Sequence, residues 1–152
     1  MLLRSRTGLV LTFALLAAAP PAFASPERAR AAQARGDLRA AQIEWRNAVR
    51  TDPASGASRL ALAESSLDLG DGDTAEKEAR AALERGADRA AATSVLLRAM
   101  LLLNRPREIL REFAEPDASA EGALAGQVMA GRSLAQLALG DAGAARRSAE
   151  AA

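Results

Sequence analysis

The chain has 152 residues, 49% of them hydrophobic and 3% aromatic, with 20 basic against 19 acidic side chains for a net charge of +1. A balance this near neutral leaves no basic footprint for nucleic acid or an anionic membrane surface. The absence of cysteine, histidine and tyrosine removes disulfides, thiol chemistry and most general bases, nucleophiles and transition-metal ligands.

At the N-terminus Arg4 and Arg6 precede an apolar run from Leu9 to Ala19, followed by Ala22-Phe23-Ala24. That order reads as a secretory signal peptide over residues 1–24, cut before Ser25, and it places the mature chain in the periplasm or outside the cell. The run is short for a membrane span, with retention as an uncleaved anchor the alternative. No cysteine comes after it, so a lipidated N-terminus is excluded. Of the later stretches the most apolar, 95–103, is interrupted by Arg98. None predicts a membrane span once the signal is removed.

Apolar spacing and capping residues then place helices along the remainder. The first runs over about 26–35 and the second over 38–50. Next come 56–69 and 74–85, with Gly86 as the stop and Asp88 as the cap of the next helix. That fifth helix, over 90–103, pairs with a sixth over 106–113, where Pro106 occupies the first turn at no cost in hydrogen bonds. Glu115-Pro116-Asp117 cuts the sixth helix short. A long helix over 118–139 comes after the break, and its partner starts at Ala142.

These segments superimpose. Gly36-Asp37 recurs as Gly70-Asp71, as Asn104 and as Gly140-Asp141, in steps of 34, 34 and 36 residues. Five residues after each turn stand Ala41, Ala75, Ile109 and Ala145. Nine after stand Trp45, Ala79, Phe113 and Ala149, and twelve after stand Ala48, Ala82, Pro116 and Ala152. Pro53 closes the first unit. The turn residues tolerate positive φ, each adjoining aspartate can cap the next helix, and alanines at the crossings allow two helix axes to approach within about 8–10 Å. A 34-residue period indicates paired helices stacked as a solenoid. The domain occupies 25–152, in units of about 22–55, 56–89, 90–123 and 126–152, the last incomplete. Because such arrays need capping repeats, the chain reads as a fragment or as the first repeats of a longer protein.

This pattern resembles the tetratricopeptide repeat (TPR), and the resemblance implies an all-α, TPR-like α-α superhelix (a helix-turn-helix solenoid) of about three and a half repeats. Ala34-Arg35-Gly36-Asp37-Leu38-Arg39-Ala40-Ala41 with Asn47-Ala48-Val49 and Asp52-Pro53 is similar to the opening repeat of the exosortase-associated (PEP-CTERM system) periplasmic TPR lipoproteins. Leu69-Gly70-Asp71, the run from Ala75 to Leu83, and Gly86-Ala87-Asp88 resemble their second repeat, and Glu108-Ile109-Leu110 with Pro116-Asp117 their third. Those proteins are tied to exopolysaccharide production and the export of sorted surface proteins. The chain departs from them in lacking the lipidated cysteine and in having fewer repeats.

In a TPR array the first helix of each pair lines the concave face. The resemblance therefore implies partner-binding positions at Arg30, Gln33, Leu60, Glu64, Leu67, Ser94, Arg98, Leu101, Gln127, Leu134 and Leu137. Mixed leucines and charges suit an extended peptide or a partner helix, although a solenoid's inner surface would produce the same residues without any ligand. The carboxylate clamp of cytosolic co-chaperone TPRs is not matched, since Pro26 and Arg30 stand at its places.

The remaining candidates for chemistry have plain structural readings. Asp71-Gly72-Asp73 lacks the further acids of an EF-hand loop and reads as a capped turn. No glycine-rich phosphate loop occurs. Trp45 reads as a packing aromatic, the leucines at 101–103 as a central helix packed on both flanks, and the pairs Arg105/Arg107 and Arg146/Arg147 as solvated surface. No catalytic, cofactor or metal site is expected, so the chain reads as a non-enzymatic scaffold binding proteins or peptides of the cell envelope. The alternative is the N-terminal recognition module of a longer enzyme, a glycosyltransferase or peptidase, with its catalytic part beyond residue 152.

Overall fold

The computed structural model describes residues 26–114 and 122–152. The expected signal peptide and the Glu115-Pro116-Asp117 break lie outside the described residues, which are all-α. In chain order the helices are α1 (Pro26–Ala34), α2 (Leu38–Thr51), α3 (Gly56–Asp68), α4 (Gly72–Glu84), α5 (Arg89–Leu102), α6 (Pro106–Glu112), α7 (Ala123–Ala138) and α8 (Ala142–Glu150). α4 begins two residues before the expected Thr74, because Asp71 at its N-cap draws Gly72 and Asp73 into the first turn.

The turn inside each helical pair is one piece of geometry used four times, and Gly86 repeats it between α4 and α5, at φ 72° with the Ala87 amide on the Ala82 carbonyl at 3.0 Å. Gly36, Gly70, Asn104 and Gly140 take φ of 74°, 75°, 56° and 84°. The amide just after each turns back to a carbonyl five residues earlier: Asp37 to Ala32 at 3.0 Å, Asp71 to Ser66 at 2.8 Å, Arg105 to Met100 at 3.0 Å and Asp141 to Gln136 at 3.0 Å. This is the Schellman closure of a helix C-terminus. The same aspartates cap the next helix, Oδ1 accepting from the amide three residues on: Ala40 at 3.0 Å, Thr74 at 3.1 Å and Ala144 at 2.9 Å. Asp88 caps α5 the same way, through the Ala91 amide at 2.7 Å.

Each helix packs on the next in sequence, and α5 also touches α3 and α7, so α3, α5 and α7 lie beside one another, while α1 reaches α3 through the Gln33–Ser65 hydrogen bond. One apolar cluster joins α3 to α7 through Ala63, Ala79, Val95, Leu96, Leu97, Met100, Ile109 and Ala135. A smaller one joins α1, α2 and α3 through Ala29, Trp45, Ala48, Val49 and Leu62. Of the recurring alanines, Ala41, Ala75, Ala79 and Ala82 have no exposed surface and Ala48 and Ala145 are buried, whereas Ala149 and Ala152 of the last unit are exposed. Ala75→Leu or Ala82→Leu should overpack the contact and cost about 1–3 kcal/mol, seen as a lowered thermal midpoint. An unchanged midpoint in both variants would contradict this packing.

Charge pairs pin neighbouring pairs of helices together. Arg105, expected as solvated surface, instead pairs with Glu76 of α4 at 2.5 Å and Glu108 of α6 at 2.6 Å; Arg107, Arg146 and Arg147 are exposed. Arg80 of α4 reaches Glu76 at 2.9 Å and Glu112 of α6 at 2.5 Å. The hydrogen bond from Arg105 holds the Glu108 carboxyl below its ordinary value, and that from Arg80 does the same for Glu112. A carboxylate whose pKa is depressed by folding adds stability that is fully present above its unfolded value of about 4.3 and is lost as pH falls through the lower folded value. Both carboxylates are more than a third exposed, so the contribution is modest and salt-sensitive. A thermal midpoint measured from neutral pH down into this range should fall less steeply in the Arg80→Gln/Arg105→Gln variant. Identical slopes would contradict the assignment.

Candidate functional site

The residues expected on the concave face all sit on α1, α3, α5 and α7, and two clefts open beside them. The first, about 460 Å³, lies between α1 and α3, where Arg30, Gln33 and Glu64 stand with Pro26, Ser55 and Ser58. Trp45 of α2 reaches into its lining yet is only 4% exposed. Its Nε1 donates to Gln33 Oε1 at 3.2 Å, and Gln33 Nε2 donates onward to Ser65 Oγ at 3.5 Å. The Arg30 guanidinium lies 5.6 Å from the indole centroid, a cation–π contact worth about 0.5–1 kcal/mol at an exposed site. Trp45 is thus a core residue, as expected, that also braces the cleft's cation.

Glu64 closes the far side of this cleft. Partial withdrawal from water raises its carboxyl above the ordinary range, Asp68 adds to the rise, and Arg98 on α5 acts the other way. Arg98 itself is exposed and closes no ion pair within 4 Å among the described residues.

The second cleft, about 190 Å³, lies between α5 and α7, with Ser94, Arg98, Leu101, Gln127 and Leu134 around it and Leu97, Ala130 and Gly131 completing it. Its shape depends on a missing side chain. A Cβ at Gly131 would stand 2.6 Å from Leu97 Cδ1 and 3.1 Å from its Cγ, so only glycine lets α7 approach with Leu97 in place. Leu134 leaves half its surface exposed, at 51%. The cleft is therefore apolar with one cation at its rim.

Three of the expected positions line neither cleft. Leu60 and Leu67 are partly buried against the larger apolar cluster. Leu137 is exposed on α7 away from both clefts. A further cleft of about 370 Å³ at the α5–α6 turn includes Arg105, Arg107 and Leu139, but the Arg105 guanidinium there is already held by Glu76 and Glu108.

Among the described residues no group of three potential metal ligands converges, and Asp71 Oδ1 is occupied as a helix cap. Among the same residues no helix is long and apolar enough to cross a membrane. No protein-family model matches the chain, and no curated protein matches it.

Proposed function

We propose that the chain is an exported, TPR-like binding scaffold whose odd-numbered helices form a face that takes extended peptides or helices of partner proteins. The observation that carries the reading is the coincidence of the two clefts with that face. Polar Arg30, Gln33 and Glu64 stand at one end, and apolar Leu101 and Leu134 stand with Arg98 at the other. Alternating charge and apolar surface along a row of helices suits a segment that runs across several of them. The repeated Schellman closures and the contacts of α5 with both α3 and α7 support the superhelical arrangement. The signal read over 1–24 and the resemblance of the repeats to exosortase-associated TPR proteins support a role in envelope, exopolysaccharide or surface-protein export assembly.

A random peptide library displayed on phage tests the reading with a defined probe. The wild-type protein should enrich sequences that pair an acidic residue with a leucine-like one, and Glu64→Arg/Arg98→Glu should enrich a different charge pattern. No enrichment, or the same enrichment for both proteins, would overturn it.

A further inference from the structure

We propose that the partner segment is a polyproline II helix carrying a basic, an acidic and an apolar residue at three-residue intervals, read in that order by Glu64, Arg98 and Leu134. This rests on the odd-helix binding face and names what that face takes. The three residues stand six positions before the turns at Gly70, Asn104 and Gly140, so one register position on α3, α5 and α7 carries an anion, a cation and a leucine. All three side chains are exposed, and α5 touches both α3 and α7. Glu64 and Arg98 are near enough for the cation to act on the carboxyl, yet neither closes an ion pair within 4 Å among the described residues. Each sign is open to an outside partner. Arg30, in the same register on α1, already lies 5.6 Å from the Trp45 ring centroid, so the row of free signs starts at Glu64.

Spacing selects the conformation of the occupant. Helices packed side by side lie about 8–10 Å apart. A polyproline II helix rises about 3.1 Å per residue with three residues per turn, so every third side chain returns to one side after about 9.3 Å. A β-strand covers that distance in three residues but puts the third side chain on its opposite face. An α-helix needs seven residues for about 10.5 Å, and its diameter of about 10–12 Å is wide for an α5–α7 cleft of about 190 Å³. It also closes its own backbone hydrogen bonds, which leaves nothing for the Ser94 hydroxyl and Gln127 amide lining that cleft. Polyproline II has no internal hydrogen bonds, so its carbonyls are available to both.

Fluorescence anisotropy with labelled synthetic peptides and the intact protein tests this. The reference peptide carries lysine, aspartate and leucine three positions apart in a proline-rich frame, in whichever chain direction binds tighter. Moving the spacing to two or four positions should weaken binding by about tenfold or more, and so should exchanging the lysine and aspartate. Glu64→Arg/Arg98→Glu should reverse that last preference, with helicity unchanged because both side chains are exposed. Equal affinity across the spacings, tighter binding by an alanine-rich helix with the three residues seven apart, or no reversal in the double variant would each overturn the proposal. Peptides bound without regard to spacing would leave the odd-helix face standing, whereas no binding by any peptide or library member removes both.

Discussion

Arg59→Ala is expected to cost about 3 kcal/mol, near the lower end of the range for breaking a buried ion pair. Arg59 of α3 meets Glu78 of α4 at 2.6 Å, with side chains only 13% and 9% exposed. Its Nε and Nη2 also donate to the Pro53 carbonyl at 3.1 and 3.0 Å, so one guanidinium ties the α2–α3 loop, α3 and α4 together. Removal leaves the Glu78 carboxylate buried with only Lys77 at 4.0 Å, whose own side chain is 79% exposed. Most of the loss comes from that stranded charge rather than from the pair's net attraction.

Arg59→Ala/Glu78→Leu should recover much of the loss, because it removes the stranded charge along with its partner. Urea unfolding of the single and double variants measures both; a loss below about 1 kcal/mol in Arg59→Ala, or a double variant no more stable than the single one, would contradict the account.

Ile109→Ala should be the other severe substitution, at about 2–5 kcal/mol. α6 has seven residues, no side-chain N-cap, and Ile109 as its one buried residue. Ile109 is 0% exposed and belongs to the larger apolar cluster, with Leu110 and Phe113 only partly buried beside it. Among the described residues the other polar ties of α6 are the ion pairs of Glu108 and Glu112, half-exposed and worth about 0–1 kcal/mol each, and the donations from Arg132 of α7 to the Leu110 carbonyl at 3.3 Å and the Phe113 carbonyl at 2.6 Å. With Ile109 truncated, amide exchange should rise first across α6 and the α6-facing turns of α7, while α2 and α3 keep their protection. Uniform acceleration, or none, would show that α6 is held by something else.

The helices were legible in the sequence because their ends are local chemistry. A residue tolerant of positive φ next to an aspartate specifies both the Schellman closure and the next cap within six residues, whatever the tertiary context. Side-chain direction on the odd helices was less legible. α3 carries leucines, alanines and serines on several faces, so the repeat register alone did not show that Leu60 and Leu67 pack partly against the larger apolar cluster. Ser65 and Ser66 are fully buried in α3, which is intelligible only once Gln33 and Gln42 are seen donating to them. Arg105 read as surface because its partner Glu76 lies 29 residues away. Gly131 did offer a signal: a glycine inside a helix usually marks a close approach, here to Leu97, and it would have pointed to the second cleft.

The most direct test of the account maps a peptide enriched by the wild-type protein onto its 15N-labelled backbone by amide chemical shifts. Perturbations concentrated on α1, α3, α5 and α7, around Arg30, Glu64, Arg98 and Leu134, are the predicted result. Shifts centred on the opposite helices, near the exposed Ile43 of α2 or Lys77 of α4, would contradict the assignment of the odd-helix face as the binding surface.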